Sequence, residues 1–155
     1  MFKRLRLRTF LMVLLLTACE KDDICVDGDS AILQIEFRDA ANPEITKNVA
    51  GLSVYLDDEV YQGLNNTTTS KLALALATDQ TTYAFDFFQA EIETPDKIEV
   101  AVTPKATYVS RACGFVLQFE QLTVNGRSQK SWISSVEVLQ TTITASNGPH
   151  LVIYH

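Results

Sequence analysis

The segment Tyr83-Ala84-Phe85-Asp86-Phe87 places an aromatic side chain at every second position. Successive side chains of a β-strand point to opposite faces of the sheet, so the three rings share one face. The alanine and the aspartate between them occupy the other face. The segment therefore predicts a strand with one face buried in an apolar core.

The same alternation of apolar side chains recurs along the chain after residue 30. Segment 72–76 is ambiguous, because Leu and Ala also favour helices, but its strict alternation favours a strand. The alternating apolar sets are Leu33, Ile35 and Phe37; Leu52, Val54 and Leu56; Leu72, Leu74 and Leu76; Ile98, Val100 and Val102; Phe115, Leu117 and Phe119; Val136 and Val138; and Leu151 and Ile153.

Turn-forming residues separate these segments. They lie at 39–43, 63–66, 94–96, 125–126 and 147–149. Asn125-Gly126, between apolar alternations, is typical of a two-residue hairpin turn. The pattern predicts an all-β fold, a single antiparallel β-sandwich or partly open barrel of about 8–10 short strands. We assign this domain to residues 30–155.

The N-terminal residues have the order of a secretory signal, in which basic residues precede an apolar run and then small residues. The apolar run, 10–16, is too short to cross a bilayer as a helix. Leu16-Thr17-Ala18-Cys19 resembles the lipobox of bacterial lipoproteins, in which the cysteine thiol receives a lipid. We therefore predict a signal peptide over residues 1–18 and a lipid on Cys19. The alternative is an ordinary secretory signal followed by an unmodified cysteine.

Residues 19–29 form an acidic tether between the predicted lipid and the domain. Lys21, Asp22 and Asp23 resemble the export signal that follows the lipidated cysteine in surface-displayed lipoproteins of the Bacteroidota. They predict display on the outer face of the outer membrane, whereas a merely solvated tether would leave the domain facing the periplasm. Asp29-Ser30-Ala31 resembles an O-glycosylation signal of exported proteins in the same group, with Ser30 as the acceptor.

The charge distribution argues against nucleic acid as a partner. The full chain carries a net charge of −6, and four of its 13 basic residues lie in the signal, whereas all 19 acidic residues lie beyond it. An acidic chain without a basic stripe repels phosphates. The same charge disfavours peripheral adsorption to anionic lipid, so we expect attachment to the membrane through a covalent lipid anchor.

Two cysteines remain after Cys19, namely Cys25 and Cys113. In an oxidising compartment an even pair favours a disulfide, which would close a loop of nearly 90 residues and stabilise the fold by about 4–5 kcal/mol in the chain-entropy model. Two free buried thiols are the alternative. We expect no metal site, because the two thiols, His150 and His155 lack a recognised ligand spacing.

The sequence contains no recognised catalytic motif and implies no cofactor. The acidic groups 27–29 and 57–59 do not continue into complete calcium loops. We expect His150, beside a proline turn, to be solvated. Trp132 is either a core residue or a ligand contact, for example a platform for a sugar ring.

Four segments together resemble a family of small Bacteroidota lipoproteins built on a domain of unknown function. The resemblance implies location and fold rather than an activity. It makes Cys25 and Cys113 part of the family motifs, and it makes Arg111 a candidate partner for a carboxylate near their bridge; an exposed arginine is the alternative. The segments are Asp23-Ile24-Cys25; Phe37-Arg38-Asp39 with Asn42-Pro43; Tyr108-Val109-Ser110-Arg111-Ala112-Cys113-Gly114-Phe115; and Ile153-Tyr154-His155.

These features favour a non-enzymatic lipoprotein of the outer membrane, acting as a binding or accessory module. Its expected partner, besides the membrane, is an outer-membrane protein or an extracellular polymer. Two other functions remain open. One is a carbohydrate-binding surface module that uses Trp132, and the other is a hydrolase whose two carboxylates are brought together only by folding.

Overall fold

The alternating segments form ten β-strands in a computed structural model, which describes Cys25 and residues 31–128, 131–145 and 147–155. A 3-10 turn at Tyr61–Gly63 follows β3. No helix within these ranges is long and apolar enough to cross a membrane. The strands are β1 (Ile32–Arg38), β2 (Val49–Leu56), β3 (Glu59–Val60), β4 (Thr67–Thr69), β5 (Lys71–Ala75), β6 (Thr82–Gln89), β7 (Ile92–Ser110), β8 (Gly114–Ser128), β9 (Ser135–Val138) and β10 (Leu151–Tyr154).

The strands form two packed sheets, which confirms the predicted all-β sandwich. The smaller sheet has the order β5-β1-β10-β9, and the larger has the order β3-β2-β6-β7-β8 with β4 also paired to β2. Most pairs are antiparallel. The exception joins β1 to β10, which run parallel with Phe37 opposite Ile153. This parallel pair brings the first and last strands of the domain together.

The core lies between the sheets and is built from the alternating sets. Tyr83, Phe85 and Phe87 of β6 are each 1% exposed, as their alternation in the sequence predicted. Leu33, Ile35 and Phe37 of β1 are equally buried on the facing sheet. Fully burying an aliphatic or aromatic side chain of this size contributes about 1.5–3 kcal/mol, so these two strands supply much of the stability of the fold.

The ambiguous leucine segment is a strand, as its alternation predicted. Leu72, Leu74 and Leu76 are buried, whereas Ala73 and Ala75 are exposed. The strand β5 pairs antiparallel with β1. A helix would have distributed the three leucines around its surface rather than along one face.

Two predicted turns are wrong. Segment 94–96 lies within β7, and Asn125-Gly126 lies within β8. The chain instead reverses at Ala90 and Glu91, between the paired residues Gln89 and Ile92. Opposite Glu99 and Val100, the partners are Gly126 and Val124, so Asn125 is an additional residue in β8. Glycine beside such a residue also suits a β-bulge, and this is the structure that the Asn-Gly pair adopts.

The strands β7 and β8 are long, with 19 and 15 residues, rather than short as predicted. The strand β6 reaches only to the level of Ala101. Beyond it, within the described residues, the two long strands pair only with each other from residue 103 to residue 118. We call this two-stranded extension, residues 103–118, the arm.

Candidate functional site

The arm carries no buried side chain, and its tip exposes two aromatic rings. Phe115 is 70% exposed and Tyr108 is 54% exposed. The two residues are cross-strand partners, and their ring centroids lie 5.4 Å apart in an edge-to-face arrangement. The sequence pattern had placed Phe115 in the core, and this prediction is wrong, because alternation fixes which face a side chain occupies but not whether a second sheet covers that face.

A disulfide joins the tip of the arm to Cys25, which lies in the predicted N-terminal tether. Cys25 and Cys113 are bonded, with their Cα atoms 4.7 Å apart and 88 residues apart in sequence. The predicted pairing is therefore confirmed. An isolated two-stranded hairpin is only marginally stable in water, so a covalent link at the far end restricts fraying of the arm. The backbone N–H of Cys113 also donates to the Ser110 hydroxyl at 3.0 Å.

Arg111 occupies the turn of the arm and is exposed. Within the described ranges, it forms no ion pair with a carboxylate. The structure therefore agrees with the alternative prediction for this residue, an exposed arginine. It leaves a guanidinium group in the turn that also contains Cys113, between the two strands that carry the rings.

Trp132 is partly buried and packs against the core. Its indole N–H donates to the backbone oxygen of Phe87 at 3.2 Å, and its ring contacts those of Phe37 and His155. The polar group of the indole is thus already engaged. These contacts favour the structural interpretation of Trp132 over the ligand contact.

A buried carboxylate that sequence reasoning missed holds the segment containing Trp132. Asp96 is fully buried, and its oxygens accept the backbone N–H groups of Ser131, Trp132 and Ile133 at 2.9 to 3.2 Å. Charge-assisted hydrogen bonds of this kind are stronger than neutral ones. In the sequence, Asp96 follows Thr94-Pro95, a pattern that predicts a turn and gives no sign of a buried carboxylate.

His150 is fully buried, so the prediction that it is solvated is wrong. Its Nδ1 accepts the backbone N–H of Gln34 at 2.9 Å, and its Nε2 lies 2.9 Å from Oδ1 of Asn147. Because Nδ1 is the acceptor, Nε2 carries the proton and donates to Asn147. Burial lowers the pKa of His150. These contacts give His150 a structural role, joining β1 to the approach of β10.

The buried acids of the described chain are engaged in structural contacts. Glu36 lies 2.7 Å from Nε of Arg38 and 3.5 Å from Nζ of Lys71. Asp96 holds three backbone N–H groups, as described above. A surface pocket of about 280 Å³ beside β7 and β8 contains a single carboxylate, that of Glu99, together with Lys97 and Arg127. Neither the buried acids nor this pocket favours the carboxylate-pair hydrolase.

Several predicted sites have no counterpart that we can describe. Cys19, the export residues Lys21, Asp22 and Asp23, and Ser30 lie outside the described residues. Within the ranges that the structure describes, no group of three or more His, Cys, Asp or Glu side chains is arranged to hold a metal ion. In the acidic segment 57–59, Asp57 and Asp58 form the turn between β2 and β3, with φ angles of 54° and 65°.

Comparison with known proteins identifies a family but not an activity. The model of a family of unknown function, DUF6452, matches residues 46–155. This range includes Arg111-Ala112-Cys113-Gly114 and Ile153-Tyr154-His155 and begins after the other two segments of the resemblance. No curated protein and no solved structure matches the chain. Because the matched range covers most of the sequence, the protein belongs to the DUF6452 family of unknown function.

Proposed function

We propose that this protein is a lipid-anchored module of the bacterial cell envelope that acts by binding, or as an accessory component, rather than by catalysis. In this proposal it is attached to the outer membrane through Cys19, as in small lipoproteins of the Bacteroidota. Its partner is an outer-membrane protein or an extracellular polymer. Secretion with the tether Lys21-Asp22-Asp23 directs it to the outer face of the membrane.

The observation that carries the proposal is the disulfide between Cys25 and Cys113. Stable disulfides belong to oxidising compartments outside the cytoplasm, which agrees with a cleaved secretory signal. The bond also fastens the folded domain to the chain six residues after Cys19, so that a lipid on Cys19 would hold the domain close to the bilayer. The side chains of Glu36, Asp96 and His150 are already held in structural ion pairs and hydrogen bonds, which supports a binding role over a catalytic one.

Anchoring is tested by mass spectrometry of the N-terminal peptide and by membrane fractionation of the producing bacterium. We expect a diacylglycerol-modified Cys19 at the mature N-terminus and the protein in the membrane fraction. The variant Cys19→Ala should lose both, whereas Cys25→Ala, the matched control six residues away, should keep the lipid. An unmodified N-terminal peptide in a soluble protein would contradict the proposal.

The face of the membrane is tested by protease treatment of intact cells. We expect the wild-type domain to be cleaved, and a variant carrying Lys21→Ala, Asp22→Ala and Asp23→Ala to be protected until the cells are lysed. Glu91→Ala with Glu93→Ala removes two exposed acids elsewhere and should behave as wild type. Protection of the wild type in intact cells would instead place the domain in the periplasm.

A further inference from the structure

The two faces of the arm differ in polarity. One face carries cross-strand polar contacts, from Lys105 to Glu120 at 2.6 Å and from Thr107 to Gln118 at 3.2 Å. The other carries apolar residues in register. We call this second set the apolar face of the arm; it comprises Ala106 opposite Leu117 and Tyr108 opposite Phe115, and at the base of the arm it continues into Pro104 opposite Phe119.

The apolar face leaves the core and becomes progressively exposed towards the tip. Phe119 is 1% exposed, Leu117 is half-buried against the core, and Phe115 is largely exposed. The edge-to-face pair of Tyr108 and Phe115 stabilises the two strands where it lies, but both rings leave much of their apolar surface in water. Exposed apolar residues at the end of a defined projection are typical of a contact with another surface.

The charge of the arm is opposite to that of the whole chain. Residues 103–118 contain Lys105 and Arg111 and no acidic residue, in a chain whose net charge is −6. Lys105 is paired with Glu120, which leaves the exposed guanidinium of Arg111 at the tip. A phosphate-bearing surface complements this cation, whereas the acidic body and the acidic residues of the tether would be repelled from the same surface.

The tether fixes how far the tip can lie from the predicted lipid. Cys113 is bonded to Cys25, and six residues connect Cys25 to Cys19. A fully extended chain of this length spans at most about 20 Å. Tyr108, Arg111 and Phe115 would therefore remain close to the headgroups of the bilayer that holds the lipid of Cys19.

We propose that the tip of the arm, Tyr108, Arg111 and Phe115, rests in the headgroup region of the membrane that holds the protein. This inference depends on the lipid anchor of the proposed function. Aromatic side chains favour the membrane interface, where a ring meets the acyl boundary and a phenol hydroxyl or a guanidinium meets water and phosphate. Each contact is weak alone, but a short tether gives an effective concentration on the order of millimolar. The contact orients the domain with its arm towards the bilayer.

The test uses the full lipidated protein in vesicles of phosphatidylethanolamine and phosphatidylglycerol that contain brominated phosphatidylcholine as a quencher. The only tryptophan is removed by Trp132→Phe, and Phe115→Trp then reports on the tip. The matched control is Ile45→Trp in the same background. Ile45 is also exposed, and it lies in the β1–β2 loop, at the end of the large sheet opposite the arm. Flotation of the vesicles reports the anchor independently.

We expect both variants to float, and the Phe115→Trp reporter alone to be strongly quenched and shifted to the blue. Adding Arg111→Glu should reduce this quenching. If the proteins float but the Phe115→Trp reporter is unquenched, or is quenched no more than the Ile45→Trp control, the arm inference is wrong and the anchor stands. If neither variant floats, the anchor and the arm inference fail together. A blue shift that depends on protein concentration without vesicles would assign the tip to a second copy of the chain and would also overturn the inference.

Hydrogen exchange of the wild type supplies a second measurement that needs no substitution in the folded domain. Amides of residues 104–118 should exchange more slowly in the vesicle-bound lipidated protein than in the Cys19→Ala form in solution. Amides of β6 should exchange equally in the two forms. Equal exchange of the arm in both forms would contradict the inference.

Discussion

The imidazole Nδ1 of His150 accepts the backbone N–H of Gln34 at 2.9 Å, across 116 residues of sequence. The backbone N–H of His150 in turn donates to the carbonyl oxygen of Gln34 at 2.8 Å. Together these bonds fix the start of β10 against β1, just before the parallel pairing begins at Ile35 and Leu151. The register of the only parallel pair in the described sheets therefore depends on a neutral histidine.

We expect the protein to become less stable as the pH falls from about 7.5 to about 5.5, where histidines titrate. Burial lowers the pKa of both His150 and His155 in the folded state, so the unfolded chain binds these protons first. The stabilisation is present above the ordinary pKa of histidine and is lost as the pH falls towards the lowered values. Urea unfolding at several pH values measures it.

The variant His150→Asn provides the control for this pH dependence. It removes the titrating group, so the slope of stability against pH should decrease, although the protein should be less stable at neutral pH because the ring contacts are lost. The part of the slope due to His155 should remain. Equal urea midpoints across this pH range in the wild type would show that the histidines are not linked to folding.

Replacement of Asp96 should release the segment that contains Trp132. Asp96→Ala leaves three backbone N–H groups, of which that of Ile133 is buried, without their acceptor, and we expect it to lower the free energy of unfolding by about 3 kcal/mol. Asp96→Asn keeps one acceptor oxygen and should lose less. Trp132 fluorescence provides a local readout, because a released indole shifts its emission to the red.

Glu93→Ala is the matched control for Asp96, since Glu93 is an exposed acid three residues away on the same strand. It should change the free energy of unfolding by less than about 0.5 kcal/mol. If Asp96→Ala were as mild as this control, the three hydrogen bonds would not be holding the segment.

Removal of the disulfide should loosen the arm before it loosens the core. In the double variant Cys25→Ser and Cys113→Ser, we expect faster amide exchange at residues 104–118, because the isolated hairpin loses the link at its tip. The whole domain should lose at most about 4–5 kcal/mol, the chain-entropy estimate for a loop of this size. Cys19→Ala retains the bond and should leave the exchange of the arm in solution unchanged. Arm amides that exchange as slowly without the bond as with it would contradict the prediction.

The sequence predicted the strands of the core because their burial follows directly from alternation. The burial of Tyr83, Phe85 and Phe87 could be predicted without knowing which strands pair with β6. Pairing between distant segments leaves no such local pattern, and for this reason the parallel contact of β1 with β10 and the burial of His150 were not predicted. Asn125-Gly126 was misassigned because glycine beside a polar residue suits both a turn and a bulge, and the opposite strand decides between them.

The candidate site was predictable only where a covalent constraint supported it. The pairing of Cys25 with Cys113 followed from the cysteine count and from the oxidising compartment that the N-terminal residues predict. The exposure of Tyr108 and Phe115 could not be predicted in this way. Their rings continue the alternation of the core strands into a part of the sheet that no second layer covers. The sequence records which face a residue occupies, and the extent of the opposing layer decides where that face is buried, as at Phe119, and where it is exposed, as at Phe115.

The strand β2 lies very close to the β6–β7 turn at Gly51, and a comparison with Gly63 separates the effect of this close contact from that of the backbone conformation. Gly51 and Gly63 both have positive φ angles, 63° and 74°. A Cβ on Gly51 would lie 2.2 Å from the Cβ of Ala90, whereas a Cβ on Gly63 would meet nothing within 4 Å. Gly63→Ala should therefore cost only the backbone strain, about 1 kcal/mol, and Gly51→Ala should cost about 1–3 kcal/mol more.

The double variant Gly51→Ala with Ala90→Gly separates the clash from the strain. It removes the side chain that the new methyl group would meet, so part of the excess cost should be recovered, while the strain from the positive φ remains. The coupling free energy from a double-mutant cycle, measured by urea unfolding, should thus favour the pair by about 1 kcal/mol or more. Additive effects would mean that β2 moves away from Ala90 without resistance, and the bulge between Val49 and Leu52 would then be a soft point of the sheet rather than a fixed one.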